Sequence, residues 1–67
     1  MSRAILRDPR KIIQRLQAEG WELRRVTGLH HVFNHRSRRG LIIVPRHPGD
    51  LKTRTARSIA KAAGWLE

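Results

Sequence analysis

Apolar residues recur along the chain with two different periods, and the change from one to the other marks out five elements. Ile12, Ile13 and Leu16 form a stripe at helical spacing within residues 8–20. Asp8 can cap that helix, Pro9 suits its first position because a missing N–H costs nothing there, and Gly20 can close it. Trp21-Glu22-Leu23-Arg24-Arg25-Val26 begins with the alternation of a half-buried strand. Thr27-Gly28 can turn the chain into a second strand over residues 29–35, and residues 36–40 form a second, arginine-rich turn. Leu41-Ile42-Ile43-Val44 is a β-branched third strand stopped by Pro45. A loop through His47-Pro48-Gly49-Asp50 leads to a last helix over residues 53–63, closed by Gly64. The predicted fold class is α+β, in the order α-β-β-β-α. Short connections make its three-stranded sheet antiparallel, with both helices packed on one face.

Alternation within the strands assigns faces. Adjacent His30 and His31 must point to opposite sides of the sheet. Phe33, the largest apolar residue of its strand, belongs toward the helices, and Leu29 and His31 go with it. His30, Val32 and Asn34 then lie on the open face. In the first strand Trp21 and Leu23 are expected inward, leaving Glu22 and Arg24 on the open side. An arginine and a histidine on an uncovered, basic sheet face make a candidate phosphate site. A single β-bulge in the second strand would exchange the two histidines.

At 67 residues the chain is read as one domain spanning residues 1–67. Its core must be thin, so chemistry is expected on an open face or shallow groove. Cysteine is absent, which removes disulfides and thiolate metal sites and suits a reducing cytoplasm. No apolar run approaches the ~20 residues of a membrane span, and Met1-Ser2-Arg3-Ala4-Ile5-Leu6-Arg7-Asp8 has too short an apolar core for a signal peptide. Charge changes the picture most. Fifteen Lys and Arg against five Asp and Glu leave a net charge of +10, with a pI near 12.0. That is the electrostatic footprint of a nucleic-acid binder, although membrane surfaces and acidic protein partners attract such a chain too.

Four histidines are the candidates for chemistry. On the open face His30 is either a proton-transfer group or an ordinary exposed histidine. His31, facing inward, is expected to be packed and hydrogen-bonded. His47, after Pro45-Arg46, either approaches a bound nucleic acid or stabilises its loop, and His35 is expected in solvent. They do not form a metal site: no pair has i,i+4 helical spacing and the adjacent two diverge. No cofactor is implied. Arg54, Arg57 and Lys61, at i, i+3 and i+7, share one face of the last helix, with Lys52 just ahead of it. Such a stripe is a solvated helix surface in any case, and with this charge also a set of contacts for an RNA backbone, along with Arg24. Trp21 and Phe33 are needed for the core, which argues against an aromatic stacking platform.

The chain resembles the HicA toxin family. The residues that carry the resemblance are Glu19-Gly20-Trp21, then Gly28-Leu29-His30-His31-Val32-Phe33, Val44-Pro45-Arg46-His47, Leu51, and Thr55-Ala56-Arg57-Ser58-Ile59-Ala60-Lys61-Ala62-Ala63-Gly64. The resemblance implies an α-β-β-β-α fold similar to a double-stranded-RNA-binding domain. It implies a metal-independent endoribonuclease that cleaves mRNA, held inactive by a HicB-type antitoxin, monomeric when free and cytoplasmic. The family's catalytic histidine, the first of its G-x-H-H-x-F motif, falls on His30 as general acid or base. Two departures stand out: Leu29 occupies a place where serine is common, and Arg54 replaces a frequent glycine. No second acid–base residue is evident on the same strand. The alternative is a non-catalytic RNA- or DNA-binding module on the same kind of fold.

Overall fold

A computed structural model of the protein describes residues 5–66; Met1-Ser2-Arg3-Ala4, part of the N-terminal segment read above, lie outside the described residues. The element order is α1 (Pro9–Ala18), β1 (Trp21–Thr27), β2 (His30–His35), β3 (Ile42–Pro45) and α2 (Thr53–Ala62), which is the predicted α-β-β-β-α. The strands form one antiparallel sheet in the order β1-β2-β3. Among the described residues no helix is long and apolar enough to cross a membrane.

Local chemistry sets the boundaries. The Asp8 carboxylate accepts from the Arg10 N–H at 3.0 Å, and Pro9 opens α1. At the other end of the chain Gly64 N–H donates to the Lys61 carbonyl and Trp65 N–H to the Ala60 carbonyl, at 3.1 and 2.8 Å. That pair of bonds is a Schellman motif, which requires the left-handed conformation that Gly64 takes at φ +82. The β1–β2 hairpin closes with Thr27 opposite His30, so its two-residue turn is Gly28-Leu29, one residue later than predicted. Gly28 has φ +58 and Leu29 a negative φ, the pattern of a type II′ turn that only glycine enters freely.

Ile12, Leu16, Trp21, Phe33, Ile42, Val44, Leu51, Ala56, Ile59 and Ala63 form one core on the Phe33 side of the sheet. Both helices contribute to it and therefore share that face, as expected. Phe33 is fully buried at its centre. Leu23 departs from expectation: it lies on the helix side opposite Phe33 but is 45% exposed, because β1 is an edge strand that two ten-residue helices do not fully cover. Val32 is buried on the other face, between the cross-strand residues Arg25 and Ile43.

Trp65 ties the end of the chain to the end of α1. Its indole N–H donates to Glu19 Oε1 at 2.6 Å, Arg15 Nε donates to Glu19 Oε2 at 3.2 Å, and the Arg15 guanidinium lies 4.2 Å from the Trp65 ring centroid. The Trp65 hydrogen bond, then the Arg15 and Arg38 charges, hold the Glu19 carboxyl below its ordinary value against a cost of desolvation. A depressed carboxylate pKa stabilises the fold above the unfolded value, and the contribution is lost as pH falls through the folded one. Glu19→Gln is therefore expected to lower Tm at about pH 7 and to close most of that gap at about pH 3. A gap of the same size at both values would show that the charge plays no part.

Candidate functional site

The chain's connections gather basic residues at one end of the sheet. α1 is joined to β1 by only Glu19-Gly20 and runs back along it, so the start of α1 lies near the β1–β2 turn. β3 ends at that turn's level, and the seven residues from Arg46 to Lys52 lead directly into α2. Leu51 N–H donates to the Arg7 carbonyl at 2.8 Å and Arg7 Nε to the Leu51 carbonyl at 2.9 Å, which locks this loop against the segment before α1. Arg7, Arg10, His30, Arg46, His47 and Lys52 thus share one end of the fold, with Asp8 and Asp50 among them. Both helices begin there, adding the positive ends of their dipoles.

His30 opens β2 opposite Thr27 on one side and Pro45 on the other, and it is exposed. The Arg46 N–H donates to the Leu29 carbonyl at 2.7 Å, carrying the β2–β3 ladder one residue beyond β3. In that register Pro45 falls where its nitrogen points away from β2, so its missing N–H costs the ladder nothing. β2 is regular, and alternation from buried Phe33 puts His30 on the open face and His31, opposite buried Val44, on the helix side, as expected. His31 is half-buried, yet the hydrogen bond expected of it is missing: Nδ1 is sealed from solvent with no partner among the described residues.

The irregularity falls instead in β1. Between Leu23 and Arg25 the register slips by one, so Arg24 and Arg25 together oppose Val32. Arg24 is exposed in this bulge, while Arg25 takes the paired position on the open face, two residues along the sheet from the level of His30. No glycine or proline marks the bulge, so nothing in the strand pattern signalled it.

His35 was expected in solvent and is instead a structural residue, partly buried. Ser37 N–H donates to its Nδ1 at 3.0 Å, which leaves the proton on Nε2 to be donated to the Glu19 carbonyl at 2.9 Å. Its ring also meets Trp21 edge-on at 5.2 Å. It pins the end of β2 to the end of α1, and only the folded chain brings those partners to it.

Lys52 caps α2 through its backbone alone and sits at the basic end. Arg54, Arg57 and Lys61 are exposed, and the helix buries Ala56, Ile59 and Ala60 on the opposite side. The stripe therefore looks away from the sheet and starts at the basic end with Arg54. It is not brought together with the open-face His30. A cleft of about 540 Å³, lined by Asp8, Pro9, Arg10, Arg46, His47 and the loop that follows, lies at the same end as His30. Arg10 and Arg46 were not singled out by their spacing, since only the loop's return to α1 puts them side by side. Among the described residues no three His, Asp or Glu side chains come close enough to hold a metal ion together.

Fold and site define a small, strongly basic α+β protein that presents an exposed histidine at the same end as a cleft lined by Arg10, Arg46, His47 and two aspartates. A family model described as the HicA toxin of bacterial toxin–antitoxin systems matches residues 9–65, and the chain belongs to that family. It is accordingly the toxin of a toxin–antitoxin system, with a cognate antitoxin as partner. A comparison with curated proteins finds no match.

Proposed function

We propose that this toxin is an endoribonuclease that cleaves mRNA with His30 as a proton-transfer group and without a metal ion. The observation that carries the proposal is the exposed His30 on the uncovered sheet face, at the end of the fold where Arg10, Arg46 and Lys52 gather. RNA supplies its own nucleophile, the 2′-hydroxyl, so the protein has three tasks. It must accept the hydroxyl proton, stabilise the crowded anionic phosphorus, and see the 5′-oxygen leave protonated. Histidine suits proton transfer near neutral pH, and arginines suit the phosphorane charge. Lys52 and Arg54, with Arg24 and Arg25 along the open face, are the groups to hold the flanking phosphates. Arg57 and Lys61, on the outer side of α2, serve a longer strand that wraps around the helix end. Acting on mRNA, the toxin works in the cytoplasm and as a monomer when free of antitoxin.

The test is cleavage of a defined RNA in EDTA. The expected products carry a 2′,3′-cyclic phosphate and a 5′-hydroxyl, and a single 2′-deoxy substitution at the cut position should block the reaction. Binding without cleavage would favour a non-catalytic RNA-binding module instead. Activity lost in chelator and restored by a divalent ion would sink the metal-free mechanism.

A further inference from the structure

Resting on the ribonuclease reading above, we propose that His47 is the second proton-transfer group, delivering the proton on its Nε2 to the departing 5′-oxygen while His30 accepts the proton of the 2′-hydroxyl. In that step the 2′-oxygen bonds to phosphorus and the P–O5′ bond breaks. The hydroxyl proton ends on His30 and the His47 proton on the 5′-oxygen. The products are a 2′,3′-cyclic phosphate and a 5′-hydroxyl.

Three observations carry it. The first is position. His30 pairs with Pro45, and the bond from Arg46 N–H to the Leu29 carbonyl keeps the chain beside β2 past the end of β3. His47 lies two residues beyond Pro45, outside the paired strand, in the loop that leaves the ladder at the His30 end. In-line displacement places the entering and leaving oxygens on opposite sides of phosphorus, so acceptor and donor must flank it from two directions. One histidine lies on the sheet face and the other in the loop at the sheet's end, so the two come from different elements.

The second is the protonation geometry. His47 Nδ1 lies 3.0 Å from the Pro48 carbonyl oxygen, which can only accept, so Nδ1 keeps its proton in both charge states. Nε2 is then the atom that gains and loses a proton, and the ring is held from behind while it does so. His35 has both nitrogens engaged, and His31 faces the helices with Nδ1 sealed. His30 and His47 remain as the pair at the cationic end.

The third is the cleft that His47 lines. Arg10 from α1, whose Nε faces the Asp8 carboxylate at 3.9 Å, and Arg46 from the loop line it and are the guanidinium groups to meet non-bridging phosphate oxygens. Around His47 in the cleft stand Asp8, which caps α1, Arg10 from α1, and Arg46 and Asp50 from the loop.

The experiment compares two RNA substrates, one ordinary and one with sulfur in place of the 5′-bridging oxygen at the scissile phosphate. A thiolate leaves without a proton, so only the loss of an acid is rescued by sulfur. His47→Ala, and His47→Asn, which keeps a donor for the Pro48 carbonyl, should slow cleavage of ordinary RNA by ~10²–10⁴-fold. Both should cut the sulfur substrate at close to the wild-type rate, whereas His30→Ala should be slow on both. The pH–rate profile of the His47 variants should also lose one limb. Wild-type rates on ordinary RNA, or equal slowing on both substrates, would overturn the assignment of His47 and leave the ribonuclease reading standing. A wild-type protein that cuts neither substrate would overturn that reading as well.

Discussion

Replacing His30 by alanine is expected to slow RNA cleavage by ~10²–10⁴-fold, relieve growth inhibition, and leave the thermal midpoint almost unchanged. The first part follows from the role proposed for the imidazole. The second follows from position: His30 is exposed at the start of β2, where truncation removes little packing. RNA affinity should persist, because the arginines and Lys52 that meet phosphates are untouched. His31→Ala is the matched control, one residue away on the other face of the same strand. It removes a half-buried ring whose Nδ1 has no partner among the described residues. Tm should therefore fall by the lost packing, roughly 1 kcal/mol in stability, while cleavage continues. Leucine there should cost less than alanine, since it fills the space and leaves no sealed polar atom. Cleavage, RNA affinity and melting measured side by side decide the matter. A His30→Ala protein that cuts normally beside a folded but inactive His31→Ala protein would reverse the roles of the two histidines.

The second large effect is on the fold itself. Phe33 is fully buried on the central strand, opposite Leu23 and Ile42 and facing both helices. Truncating a buried phenylalanine to alanine costs about 3–5 kcal/mol. A chain of 67 residues, at about 0.05–0.15 kcal/mol per residue, has only about 3–10 kcal/mol to lose. Phe33→Ala should therefore be largely unfolded at 37 °C, whereas Phe33→Leu, closer in volume, should still melt cooperatively. Urea titration gives the comparison, and a midpoint for Phe33→Ala close to that of the wild type would mean that the core lies elsewhere.

What could be read from the sequence was local. Asp8-Pro9 and Gly64 carry the chemistry of helix ends in their own side chains and backbones, and α1 and α2 lie within a residue or two of their predicted bounds. The faces of β2 were legible for the same reason: a regular strand has a fixed period, and Phe33 sets its phase. The rest depended on distant parts of the chain. His35 reads as one more polar residue before an arginine-rich turn until folding brings the Glu19 carbonyl to it. Leu23 has the right parity for the core, but burial also needs a helix above it. The ladder skips Arg24 where a regular strand would have paired it, and two consecutive arginines give no hint of which one is skipped. The cleft with Arg10, Arg46 and His47 joins residues some 36 positions apart through a loop whose return path no periodicity specifies.

The skipped residue in β1 has an effect beyond the placement of a side chain. An outermost strand offers its unused N–H and C=O groups to any other extended chain, and this one also leaves Leu23 and Val26 about half exposed. Those are the ingredients of uncontrolled edge-to-edge polymerisation. The bulge breaks the even spacing that a second strand would need along the rim, and it fills the break with two guanidinium groups. Any second copy would bring two more, on molecules that each carry a net charge of +10. The pair of residues that spoils the simple alternation of β1 also sets charge and an irregular ladder on a rim that would otherwise invite a second strand.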